Sequence, residues 1–418
     1  MVVPRDRRLT RPSVFHSSAP ASPILIYLPS GPVLPAYAEE EQRIISTLSA
    51  ASGATIARIN YRASPSHQYP NPVHDVLLGY DWVKDNLLRD GFSQPKLARM
   101  GVCGELMGGS LAVTLALTEC RHGESRIGAA AVNSPIADWV FPDDLPVIPA
   151  SELVEPLRPE ETAFPADEDP MSPDLSSKEV EAVHITGNEA ATHSTRKHPK
   201  RTPKPPAPTS WQLHGDNAII PTVQLSAERD MLFRKPQDYF DRFVSPIHFF
   251  RSPHGILLIP KNEDLLASES PDGPLDFETQ LDINHYKTVD ASNSLELPTL
   301  ARCRAYARIY PPAGFNLSLP VWHITTGSQS PLLDQGTELT KMIKRSIARQ
   351  TLKKRTGRSR WHDASEKEYY EAYADTRVQV DPADGIGLWT QQSDSSNWKK
   401  QVERVGAFMK ESLKPEFI

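Results

Sequence analysis

Apolar positions fall into two alternating periods along the first 135 residues. Residues 24–28 (ILIYL) form an unbroken run between Pro23 and Pro29, which reads as a strand buried on both faces. Ile44, Ile45 and Leu48 then recur at helical spacing within 37–51, and 55–60 reads as a second strand. Val73, Val76, Leu77, Tyr80, Val83 and Leu87 mark an amphipathic helix, because residues three and four apart share a face. Residues 100–103 predict a third strand, 108–120 a helix entered through glycines, and 129–132 a fourth strand. Strands that alternate with helices in this way lie parallel in one sheet, joined by right-handed crossovers.

The alternation stops after residue 138 and resumes late, with strands at 319–325 and 377–380 and helices at 332–347 and 396–413. The expected fold is therefore α/β, a mostly parallel central sheet flanked by helices with a large lid or insert between its halves. The first half spans 23–138, the insert 139–318 and the second half 319–414, preceded by a flexible segment over 1–22. Within the insert, 155–210 passes from acidic to Pro-rich to basic, with almost nothing apolar between Phe164 and Trp211. Such a stretch buries too little surface to offset its ordering entropy, so disorder is expected. Phe249, Phe250 and the apolar run 256–259 read as packed insert core. The competing reading makes 155–210 and 250–315 an exposed interaction platform.

Composition narrows the classes. With 39% hydrophobic residues in 418, the chain has material for one large core. The net charge of −6 gives no reason to expect nucleic acid as a partner. Cys103, Cys120 and Cys303 are too few and too scattered for a disulfide framework or a zinc site, so thiols without metal or cofactor are expected. No apolar run reaches the length of a membrane span, and 1–22 carries Arg5, Arg7, Arg8 and Arg11 without the core of a secretory signal. A cytoplasmic location is expected over an organellar one. The basic run from Arg196 to Lys204 (RKHPKRTPK) reads as a solvated linker or a nuclear-import patch.

Residues 99–112 read RMGVCGELMGGSLA, with Gly104, Gly108 and Gly109 around the join of strand and helix. A sharp strand-to-helix turn needs small flanks, since larger side chains would strike neighbouring strands. The segment resembles the nucleophile elbow of the hormone-sensitive-lipase branch of the α/β-hydrolases, roughly G-D-S-A-G-G-N-L-A. Asn60-Tyr61-Arg62 with Tyr69-Pro70 and Asp75, then Asp241 with Ser245-Pro246, then Leu319-Pro320 with Gly327, Asp334 and Gly336, resemble further segments of that branch in the same order. The first sheet strands usual in this fold have little room in residues 1–22.

The resemblance implies acyl transfer, which needs a nucleophile, a base held by an acid, and N–H donors around an oxyanion. It puts Leu106 where the branch has its serine, Glu105 where it has aspartate, Ser330 at the acid and Ile386 at the histidine. No histidine follows His362. The oxyanion motif H-G-G-G corresponds to Pro29-Ser30-Gly31-Pro32, where Pro32 has no N–H; Ser30, Gly31 and Met107 retain backbone donors. Asp334 matches a second, structural aspartate. Among other reactive side chains, Cys103 and His323 read as core residues, Ser110 as turned away from the pocket, and Glu105 as a structural hydrogen-bonding group. His67 and His254 remain open candidates on loops.

Two readings follow. One is a non-catalytic protein that keeps a lidded apolar pocket for a small molecule, an ester-like metabolite or a protein. The gibberellin receptors of plants resemble lipases that lost the catalytic histidine and show such a change to be feasible. The other is an active hydrolase or specialised-metabolite enzyme working through non-standard residues or by non-hydrolytic chemistry, since some members of the branch act as dehydratases or cyclases. The sequence names no ligand and no oligomeric state.

Overall fold

A computed structural model describes residues 12–15, 22–34, 38–88, 99–122, 126–145, 152–154, 208–258, 299–312, 314–392 and 397–414. Its centre is a seven-stranded sheet. In chain order the strands are β1 (Ser13–Phe15), β2 (Ile24–Leu28), β3 (Thr55–Arg58), β4 (Arg99–Glu105), β5 (Arg126–Asn133), β8 (Val321–Gly327) and β9 (Val378–Ala383). Their spatial order is β1-β3-β2-β4-β5-β8-β9, parallel except for β1. The pleat sorts their side chains. Leu25 and Tyr27 of β2, Cys103 of β4, and Ala129 and Ala131 of β5 face helices α1 (Ala38–Ser52) and α8 (Asn397–Ser412). Ile24, Ile26, Leu28, Met100, Val102, Ala130 and Val132 face the larger core with α2 (Asn71–Leu87) and α3 (Leu106–Thr118).

The structure departs from the expected elements in three places. Ser13–Phe15 lies inside the stretch expected to be flexible, yet pairs antiparallel with β3, Ser13 opposite Arg58. Three residues are too short for a hydrophobic period to mark. Helix α6 (Leu333–Thr356) continues past residue 347 until Gly357, whose φ of 71° ends it in a left-handed cap. Its last-turn Lys353, Lys354 and Arg355 suit the negative end of the helix dipole. Helix α7 (Ala364–Arg377) was not expected, because only Tyr370 and Ala374 are buried on it. Asp363 starts α7 by accepting the Glu366 N–H at 2.7 Å.

The insert contributes the short helix α4 (Ser210–Leu213), α5 (Thr222–Leu232) and a hairpin of β6 (Gly255–Leu258) and β7 (Thr299–Arg302). It docks through polar anchors as well as apolar ones. Arg229 is buried between the rings of Phe141 and Tyr239, at 5.4 and 4.9 Å from their centroids, and pairs with Asp144. Tyr69 donates to Asp241 at 2.7 Å, and the Ile247 N–H to the Ala137 carbonyl at 3.2 Å. Phe249 and Phe250 are buried as expected, but the apolar run after them is not wholly packed: Ile256 and Leu257 are half-buried and Leu258 exposed. The run from Arg196 to Lys204 lies outside the described residues. The end of the stretch expected to be disordered is packed, since Ser210 and Trp211 are buried and the Ser210 N–H donates to Asp334 at 2.6 Å. Among the described residues no helix is long and apolar enough to cross a membrane.

Removing the Arg229 guanidinium leaves Asp144 with the Phe141 N–H but without its cation, and opens a gap between two rings. Arg229→Ala is expected to lower unfolding free energy by about 3 kcal/mol, read from urea midpoints at unchanged slope.

Candidate functional site

The carboxyl ends of the parallel strands fall level. Leu28 lies opposite Gly104, Glu105 opposite Asn133, Asn133 opposite Thr325, and Thr325 opposite Asp381. The chain leaving these ends carries Ser30 and Gly31 after β2, Leu106 and Met107 after β4, Ser330 after β8 and Ile386 after β9. Sequence positions up to 356 residues apart thus meet along one sheet edge, the edge where open α/β sheets bind ligands.

Leu106 stands at the apex of the turn from β4 into α3. Its φ is 52°, left-handed, whereas Glu105 before it is extended. For a branched side chain this conformation costs roughly 1–2 kcal/mol, which the packing on either side must offset. That packing depends on missing Cβ atoms. A Cβ on Gly108 would sit inside the backbone of Leu28 and Pro29, and one on Gly104 inside that of Gly108. A Cβ on Gly109 would come within 3.2 Å of Pro135 Cα. Leu106 has no exposed surface and shares the larger core with Met107, Val33, Ile136, Trp139 and Phe141. Ser110 points away from the apex, as expected: its hydroxyl lies 3.2 Å from the Leu106 carbonyl and 2.5 Å from that of Ile136.

The loop after β2 is held from two sides. Gly31 has a φ of 83°, and a Cβ there would meet Tyr61 Oη at 2.9 Å and Met107 Cβ at 3.1 Å. Tyr61 donates to the Pro29 carbonyl at 2.6 Å, and Gln224 of α5 to the Val33 carbonyl at 2.6 Å. Ser330 is buried, with its hydroxyl accepting the Leu332 N–H at 3.2 Å within its own turn. Ile386 is half-buried against the larger core, between Gly385 and Gly387 at φ 67° and 70°. Asp334 is structural, through Ser210.

Glu105 is fully buried and turns its carboxylate away from the apex toward the chain beyond Ile386. Asn133 donates to it at 3.0 Å, the Thr390 hydroxyl at 2.7 Å, the Thr390 N–H at 3.3 Å, and the Trp389 N–H completes the set. Burial raises its pKa to about 7, against these donors, which lower it. The expected hydrogen-bonding role is thus directed to Asn133 at the end of β5 and to residues 389–390.

The remaining candidates scatter. Cys103 is buried on the α8 side of the sheet, opposite the core that holds Leu106, and burial pushes its thiol far up. His323 is buried as expected, 5.3 Å from the Phe408 ring, and its Nδ1 has no hydrogen-bond partner. Burial lowers its pKa. His67 Nδ1 lies 3.1 and 3.0 Å from the hydroxyls of Ser64 and Ser66 in one turn. His254 meets Asp138 at 3.3 Å, a residue to which sequence reasoning gave no role. Among the described residues no group of three or more His, Cys, Asp or Glu is arranged to hold a metal.

Because Glu105 binds its proton more tightly folded than unfolded, its contribution is present below its ordinary value of 4.5 and lost as pH rises through about 7. Glu105→Gln is expected to remove up to about 3 kcal/mol of this decline, read as a flatter dependence of urea midpoint on pH than the unsubstituted chain between about pH 5 and pH 8. Identical slopes would mean that Glu105 keeps one charge state across folding.

The family model of the α/β hydrolase fold matches residues 25–246, just over half of the chain. Similar solved structures include an esterase from Pyrobaculum calidifontis, at 16% identity over 93% of this chain and 77% of that one, with a TM-score of 0.46. Carboxyl esterase 2 from Tuber melanosporum is 12% identical over 96% and 80%, at 0.49. A thermostable esterase from Pseudomonas putida is 13% identical over 97% and 84%, also at 0.49. No curated protein matches the chain.

Proposed function

The chain belongs to the α/β hydrolase fold family, related to carboxylesterases and lipases, and we propose that it serves as a non-catalytic binding protein. The observation that carries this reading is Leu106, a hydrocarbon at the left-handed apex of the elbow with no exposed surface. Nothing on that side chain ionises, donates or attacks a carbonyl. The alignment that gives Leu106 the nucleophile position also gives Ser330 the acid and Ile386 the base. A neutral hydroxyl does not stabilise an imidazolium, and a butyl group accepts no proton.

The ligand class that suits this edge is an apolar small molecule, an ester-like metabolite included. Tyr61 and Ile386 are half-buried against the larger core that also holds Met107 and Leu106, so hydrocarbon and ring border this edge. Backbone N–H groups of Gly31 and Met107 offer a carbonyl oxygen its hydrogen bonds. Binding without turnover needs no more than these.

Short and medium p-nitrophenyl esters, with a fluorophosphonate probe alongside, test the proposal on the purified chain and on Leu106→Ser. Neither protein is expected to turn over ester or take label, since the serine restored in Leu106→Ser still lacks base and acid. Apolar esters and acids are expected to stabilise the chain, by about 2.7 kcal/mol at a hundredfold excess over Kd. Turnover that co-elutes with the unsubstituted chain on gel filtration overturns the reading and favours an enzyme using other residues, which the labelled position then identifies.

A further inference from the structure

A second polar cluster lies away from the elbow, where the insert meets the end of β5. Asp138 is buried, and Oδ1 accepts the Val140 N–H at 2.9 Å. Its backbone is clasped by Gln335 of α6, which accepts the Asp138 N–H at 3.1 Å and donates to its carbonyl at 3.0 Å. Three insert side chains converge on Asp138 Oδ2: Arg251 Nη2 at 3.0 Å, His254 Nδ1 at 3.3 Å and His248 Nε2 at 3.8 Å. On its other side Arg251 reaches Glu338 of α6 at 3.2 Å. Arg251 joins two elements of the core to the insert.

The hydrogen bonds assign the protons. His248 Nδ1 lies 3.1 Å from the Phe240 carbonyl, which only accepts, so that nitrogen carries the hydrogen. Its Nε2 is then a bare lone pair, wholly buried, facing a carboxylate and without a hydrogen-bond partner. Arg251 donates to His254 Nδ1 at 2.8 Å, which leaves the hydrogen of that ring on Nε2. The arrangement therefore fits a neutral His254, and burial opposes a proton on His248 Nε2. A proton on His254 Nδ1 would set donor against donor at Arg251. Protonating both rings would crowd three cations onto one buried carboxylate, with Glu338 the further acid in contact. Arg302, facing His254, and Arg308, which donates to the His248 carbonyl at 2.9 Å, add positive charge.

We propose that Asp138, Arg251, His248 and His254 form an acid-labile latch, which holds the insert on the chain after β5 while both rings are neutral and releases it when they are protonated. Burial pushes His248 down to about 4 against the pull of Asp138, and burial with Arg251 pushes His254 down to about 3. Asp138 is held below the usual carboxylate range: burial opposes its charge, but His254 and His248, once charged in the acid range where Asp138 itself titrates, outweigh it together with Arg251. All three shifts have one sign. Each folded pKa lies below its unfolded value, so the stability they confer is complete above about pH 6.5 and is lost as pH falls toward 4 and below. The latch shares its segment with the cover of the elbow. Ile136 N–H meets the Leu106 carbonyl at 3.4 Å, and Trp139 N–H donates to Ser245 at 3.1 Å. Release would therefore loosen the packing over Leu106 whether or not that site binds a ligand.

Hydrogen exchange by mass spectrometry on the full chain, stepped from about pH 7 to about pH 3.5 and corrected for intrinsic rates, tests the latch. Peptides covering 134–141 and 245–258 are expected to lose protection at higher pH than peptides from β4 and α3. His248→Asn/His254→Asn, which keeps an amide donor near Phe240 and removes both titrations, is expected to lower that pH by about one unit. If insert and core peptides of the unsubstituted chain lose protection together, the latch is overturned, and this holds even should the double variant fail to fold. An unshifted release in a folded double variant overturns it equally.

Discussion

The close approach of α3 to the end of β2 is the constraint on which the rest of the site depends. Gly108 lies against the carbonyls of Leu28 and Pro29 with no room for a methyl group, and Gly104 against the backbone of Gly108. A helix seated so near the sheet can begin only by a sharp reversal, and Leu106 absorbs that reversal at φ 52°. The apex is consequently pinned in space before any question of chemistry arises. Everything near it is arranged around this pinned point: Gly31 is pressed against Met107, Ile136 bonds back to Leu106, and Glu105 ties the base of the turn to residues 389–390. The strain persists with a leucine in place because it belongs to the backbone contact and not to the side chain that occupies it.

Much of the fold was legible because strongly buried elements write clear periods. Residues 24–28 are buried at every position, and α3 is buried along almost all of its length, so both are read from composition without neighbours. The elements that escaped notice are those with little to bury. Ser13–Phe15 owes its strand to the exposed edge of β3, and α7 to a cap at Asp363 and two inward residues. Neither influence leaves a hydrophobic period. The boundary of α6 was misplaced for a related reason, since its last turns carry lysine and arginine outward while the backbone continues to Gly357.

The site divides the same way. Glycines that answer to backbone contact were readable, as was Glu105, because an acid beside a buried turn must find donors. Which donors it finds is a matter of tertiary packing, and Thr390 lies 285 positions away. Asp138 left no mark that distinguishes it from any surface aspartate. Its significance arises from Arg251, His248 and His254, brought to it by an insert whose path the sequence does not disclose.

The loop beyond β9 has a consequence for anyone wishing to build on this scaffold. Ile386 is flanked by two left-handed glycines, its carbonyl is pressed against Gly327, and Trp389 and Thr390 are tethered to Glu105. Its backbone is thus a socket whose direction does not depend on the residue it displays. A designer who exchanges that one side chain inherits an orientation already set, and is spared the hardest part of installing a reactive group, which is holding it still.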